Sequence, residues 1–159
     1  MGIISILATI LLLQLGTARA KSRDAKRIAD VNQVRSAIEQ SFDDTGFYPA
    51  TNDMTGLKPK YLVQIPVDPL SSCGAPTTYS GAVGGAAQCY GYAWTPSTNP
   101  TKYHVWAQLE QKNRNALNAD GDINSTGWSG AGRDASNPTS SEACPTTFAA
   151  DSCLFDLGI

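Results

Sequence analysis

The sequence predicts an α+β protein: a long N-terminal α-helix packed on a small antiparallel β-sheet, with an irregular, disulfide-pinned C-terminal loop. Three observations predict it. Residues 2–18 carry no charge and run without a break into a charged helical pattern from Lys21 to Asp44. Two aromatic and β-branched runs, 90–94 and 103–109, flank a connection holding Pro96, Asn99 and Pro100, which reads as a hairpin. Four cysteines fall in two local pairs within a second half rich in Gly, Ser, Thr and Asn. The chain divides into an apolar helix at 1–20, the amphipathic half of the same helix at 21–46, and a globular head at 47–159.

In the helix, Ile3, Ile4, Ile6, Leu7, Ile10, Leu11, Leu13 and Leu15 form an apolar segment broken only by short polar residues. Eighteen helical residues reach about 27 Å, close to a bilayer core of ~30 Å. Two readings stand. Ala18-Arg19-Ala20 fits the small-x-small rule of a cleavable signal peptide, yet no positive residue precedes the apolar run. The other reading is a membrane or filament-core helix, whose basic flank follows it.

Beyond Ala20 the period is helical. Ile28, Val31, Val34, Ile38 and Phe42 make one apolar stripe, with Asp24, Asp30, Gln33 and Glu39 off it. Gly46 is a left-handed cap and Pro49 confirms the stop. Thr51-Asn52-Asp53 caps a short turn ending near Leu57, and Lys58-Pro59 breaks it. The 65–69 segment is extended, because each proline disfavours helix in the residue before it. Thr77-Thr78-Tyr79 suggests a short edge strand. No regular element is legible after Glu110, and a run of this length in a small head is functional or pinned.

Composition narrows the class. A net charge of −2 and no basic cluster argue against a nucleic-acid partner. The single histidine, His104, lies far from every cysteine and no Cys-x-x-Cys occurs, which argues against zinc. Two disulfides in an oxidising compartment fit better. Three connectivities exist, and Cys73–Cys89 with Cys144–Cys153 is favoured. Each closes a short loop that contributes about 2–3 kcal/mol. No organic cofactor or enzyme signature is present: there is no Gly-x-Ser-x-Gly and no phosphate loop. His104 reads as an exposed or half-buried strand residue. Trp94 and Trp106 read as core, and Trp128 as a surface contact.

The sharpest candidate site is Asn118-Ala119-Asp120-Gly121-Asp122-Ile123-Asn124. Alternating oxygen side chains around a glycine are the layout of a calcium loop, since a hard cation takes six to eight oxygens. Asn118, Asp120, Asp122 and Asn124, with Asp134 closing the cage, are the candidate ligands. The competing reading is an Asx-rich turn with its own backbone bonds.

In order, these pieces resemble type IV pilins, most closely the major pseudopilins of type II secretion. Ile3-Ile4-Ser5-Ile6-Leu7-Ala8-Thr9-Ile10 is similar to the family's Ile-Ile-Gly-Ile-Leu-Ala-Ala-Ile block. Ala20-Lys21-Ser22-Arg23-Asp24-Ala25-Lys26-Arg27 resembles its basic segment. Thr45-Gly46-Phe47-Tyr48-Pro49 resembles the helix exit, and Ile65-Pro66-Val67-Asp68-Pro69 a later turn. The resemblance covers 3–110. The family's early glutamate and basic leader are not found in the sequence, and the expectation is a chain lacking the first turns of a longer helix.

The resemblance implies a structural subunit of an extracellular pilus-like filament or pseudopilus, seated in the inner membrane before assembly, with identical subunits as partners. It also favours calcium in the C-terminal loop. Lys21, Arg23, Asp24, Lys26 and Arg27, with Asp30, Asp43 and Asp44, are expected to set the stagger between neighbours. The alternative is a membrane-anchored minor pilin whose head binds a sugar, DNA or a secreted substrate. A third reading is a secreted protein cleaved after Ala20.

Overall fold

The computed structural model describes residues 2–70, 78–82, 89–136, 144 and 153–159, and side chains from Gln14 onward. Helix α1 spans Gly2–Thr45 without interruption. It ends where expected: Gly46 adopts φ 78° and donates its N–H to the Phe42 carbonyl at 2.8 Å. A side chain there would be strained by the left-handed backbone.

A 3-10 turn, Met54–Leu57, follows, and the Asp53 side chain accepts from Thr55 N. Strands β1 (Gly91–Thr95) and β2 (Lys102–Gln108) pair antiparallel, Gly91 opposite Trp106 and Thr95 opposite Lys102. The expected strand near Thr78 is reduced to single bridges, Asp53 with Thr78 and Ser80 with Gly91. Three further elements were not legible: α2 (Arg114–Leu117), β3 (Ser129–Gly130) and β4 (Leu154–Gly158). The four strands lie in the order β3-β1-β2-β4. Antiparallel β4 extends the hairpin, with Val105 opposite Leu157 and Trp106 opposite Asp156.

The helix packs on one face of this sheet. Val31, Val34, Ala37 and Ile38 are buried with Tyr92, Tyr103, Val105, Ala107 and Leu157. The expected stripe is therefore real, with Ile28 and Phe42 at its half-buried edges. It is wider than expected. Ala20, Asp24, Arg27, Asp30 and Ser41 lie on the same buried face, at the three-and-four spacing of a helix side. Asp24 and Asp30 sit on the stripe rather than off it.

The second face of the sheet is also covered. Trp106, Leu154 and Ala135 form a smaller core there, flanked by Ala131. Gly91 must lack a side chain, because a Cβ would stand 2.1 Å from the Trp106 indole. Cys144 and Cys153 are joined, as favoured. Cys89 is also disulfide-bonded, while Cys73 lies outside the described residues.

Candidate functional site

The double burial of the sheet corrects the reading of His104. Alternation along β2 points its side chain away from α1, where solvent was expected. Residues 120–135 cover that face instead, and His104 is fully buried. Its Nδ1 lies 2.6 Å from Ser125 Oγ, and its Nε2 lies 3.1 Å from Asp156 Oδ2. Ser125 Oγ accepts from Arg133 N at 2.8 Å and donates to Arg133 O at 3.0 Å. Asp156 Oδ2 accepts from Ile123 N at 3.0 Å. Serine, histidine and aspartate thus stand in line, but all three are closed to solvent. The serine hydroxyl is committed to the Arg133 backbone. The arrangement pins loop 120–135 to the sheet, because buried polar groups stay folded only when they find partners.

The five candidate calcium ligands are spread along this loop. Asn118 ends α2, its backbone N–H bonded to Arg114 O and Ala116 O. Asn124 Oδ1 accepts from Thr126 N at 3.0 Å, and Asp134 Oδ1 accepts from Ser136 N at 3.0 Å. These two oxygens make the Asx turns of the competing reading. Asp122 adopts φ 47° and is exposed.

Asp120 differs. Its Oδ2 accepts from Asp156 N at 3.4 Å, and its Oδ1, like Asp156 Oδ1, is buried without a hydrogen-bond partner among the described residues. Burial, then the Asp156 and Asp122 charges, push the Asp120 carboxyl up to about 7. Among the described residues, no three His, Cys, Asp or Glu side chains gather as a metal group. Among the described residues, the buried carboxylate oxygens without a hydrogen-bond partner are Asp120 Oδ1 and Asp156 Oδ1. Asp156 was missed; its signal was one acid in the apolar run Leu154-Phe155-Asp156-Leu157.

The charged segment of α1 is also reassigned. Arg27 is wholly buried: Nε and Nη2 hold Asp68 at 2.6 and 3.1 Å, and Nη1 reaches Asp24 and Glu110, each at 2.7 Å. Arg23 clamps Glu110 through Nε at 2.7 Å. Asp24 accepts from Glu110 N at 2.8 Å and Gln111 N at 2.9 Å. Asp30 accepts from Tyr90 Oη at 2.7 Å and from Lys26 Nζ at 3.1 Å. Arg23, Asp24, Arg27 and Asp30, expected between subunits, tie the helix to its own head instead. The physical reason is geometric, since the helix face that meets the sheet extends down to Ala20. Asp44 likewise bonds Lys60 and Tyr61 of the same chain. Lys21 and Asp43 stay exposed.

Below Ala20 the helix leaves the head. Gln14 to Arg19 are exposed in an unbroken run, longer than one 3.6-residue turn, so every side of the helix faces solvent there. Leu15 is 45% exposed. The other apolar residues named above, Ile3 to Leu13, lie where side chains are outside the description. Among the described residues, no helix is long and apolar enough to cross a membrane. Trp94 and Trp106 are core, as read, and Trp128 is half-buried.

Comparison with protein-family models, with curated proteins and with solved structures finds no match.

Proposed function

We propose that this chain is the structural subunit of an extracellular type IV pilus-like filament or pseudopilus, with a pilin-type fold, polymerising through its hydrophobic N-terminal helix. The observation that carries the reading is the exposed run Gln14–Arg19, which continues the uncharged sequence of residues 2–18 along the same helix. An apolar helix segment that continues beyond a head needs cover, and identical helices supply it. Fully burying one Leu or Ile contributes about 1.5–3 kcal/mol. The nine Leu and Ile residues from Ile3 to Leu15 give roughly 14–27 kcal/mol gross, against an association cost of roughly 4–15 kcal/mol. Neighbours bundled in this way are related by a heterologous contact that does not close, which generates a helical polymer.

In this reading the amphipathic half of α1 fixes the head on the stalk, and the buried Arg27 cluster sets the angle between them. The membrane is the store of unassembled subunits, holding the apolar helix until a growing filament takes it up. Calcium, if taken up by the head, is assigned to Asp120 and Asp156, where it would neutralise two adjacent carboxylates and brace loop 120–135 on β4. Electron microscopy of sheared surface material, labelled with antibody to the head, tests the function. Labelled filaments are expected. Label confined to the soluble fraction, on a chain that starts at Lys21, would overturn it in favour of a cleaved secreted protein.

A further inference from the structure

The edge of the head from which the stalk emerges is strongly basic. A cavity of about 610 Å³ opens there between α1 and the segment before α2, lined by Lys21, Asp24, Lys112 and Arg114 among others. Arg19 stands just outside it, two residues before Lys21. Arg19, Lys21, Lys112 and Arg114 are all exposed, and none has an ion pair or hydrogen bond among the described residues. The acids nearby are already taken: Asp24 by Arg27 and two backbone N–H groups, Glu110 by Arg23 and Arg27. The edge is therefore net positive towards solvent. Two of its four cations come from a distant loop that folds back beside the helix.

We propose that this edge is a contact surface for an anionic phospholipid bilayer. The uncharged helix at 2–18 enters the apolar layer while Arg19, Lys21, Lys112 and Arg114 meet the headgroup phosphates. Two features point the same way. The basic edge adjoins the point where the uncharged helix leaves the head, and its cations lack partners among the described residues. A bilayer with anionic headgroups matches both, offering hydrocarbon to the helix and phosphate to the collar. The head is thereby held upright on the membrane, its β1–β2 turn facing away. The contact does not require the helix to cross the bilayer. Each basic residue near an anionic surface contributes about fivefold in partitioning.

The inference rests on the membrane-seated stage of the proposed function, and the test separates the two. The full chain is equilibrated between vesicles of phosphatidylcholine and vesicles doped with phosphatidylglycerol, so that the contribution of the helix cancels. The wild type is expected to prefer the anionic vesicles, and K112Q/R114Q to lower that preference about 25-fold. K102Q, at the far end of β2, leaves it intact, and high salt abolishes it.

Equal binding to both vesicles, or an undiminished preference in K112Q/R114Q, overturns the lipid contact while the helix reading stands. Binding to neither vesicle overturns both. If K112Q/R114Q loses filaments but keeps the lipid preference, the edge belongs to a neighbouring copy and the lipid assignment falls.

Discussion

Arg27 of α1 holds Asp68 of the extended 65–69 segment by two parallel bonds, Nε–Oδ2 at 2.6 Å and Nη2–Oδ1 at 3.1 Å, with both side chains shut away from solvent. The guanidinium also serves Asp24 and Glu110. One buried cation therefore joins the helix, the 65–69 turn and the end of the sheet.

Removing that cation strands three carboxylates at the base of the head. Breaking a buried ion cluster from one side costs about 3–5 kcal/mol. Arg27→Met is expected to lose that much in urea unfolding of the oxidised protein. A loss below about 1 kcal/mol would mean that the cluster is not what fixes helix to head.

The same cluster predicts acid sensitivity. Burial alone would push the Glu110 carboxyl up, but bonds from Arg23 and Arg27 outweigh it and hold the group below its ordinary 4.5. A carboxyl lowered in the fold stabilises above its unfolded value, and that stability is lost as pH falls through the folded one. Unfolding free energy should therefore drop below about pH 4.5, and Arg23→Gln should flatten the drop. A pH profile with the same slope in both proteins would contradict this.

Asp120 behaves in the opposite sense. Its carboxyl rises to about 7 in the fold from 3.8, so the native state holds a proton that the unfolded chain releases. Stability is present below the unfolded value and declines between about pH 4 and 7, by roughly 2–4 kcal/mol. Asp120→Asn should remove this slope and melt higher than wild type at neutral pH without divalent cation. Adding calcium should raise the melting temperature of wild type alone. A calcium shift retained in Asp120→Asn would exclude Asp120 as the ligand, and no shift in either protein would remove calcium from the account.

Ile38 and Leu15 lie on one helix and should respond differently. Ile38 is wholly buried on the sheet, so Ile38→Ala should cost about 2–5 kcal/mol. Leu15 is 45% exposed. Leu15→Ser should leave the thermal unfolding of the unassembled protein within experimental error and act only on assembly. A destabilised head in Leu15→Ser would show that the lower helix packs on it after all.

Much of this fold was legible because local signals and tertiary packing agreed. Gly46 and Pro49 marked the helix end, Asp53 the cap of the 3-10 turn, and Tyr90 to Leu109 the hairpin. β4 was hidden because Asp156 interrupts an otherwise apolar alternation, and its partner strand lies far back in the sequence. His104 was misread for a related reason. Period-two patterning assumes that one sheet face is wet, and here an irregular loop buries it. Asp24, Arg27 and Asp30 were assigned to contacts between neighbours because charge was taken to mean an outward-facing position, whereas each is paired inside the subunit. Of the calcium loop, spacing named Asp120 as one of five oxygen ligands, and the fold buries its Oδ1. It did not reveal that Asn124 and Asp134 turn their oxygens to the local backbone.

The apolar N-terminal part of α1 is proposed as the polymerising surface. Electron microscopy of surface material from cells making the wild type or L11K/L15K tests it most directly, with the oxidised head monitored by its thermal unfolding. The account predicts abundant filaments for the wild type and none for L11K/L15K, with the head's melting temperature unchanged. Filaments of normal number and length from L11K/L15K would contradict it.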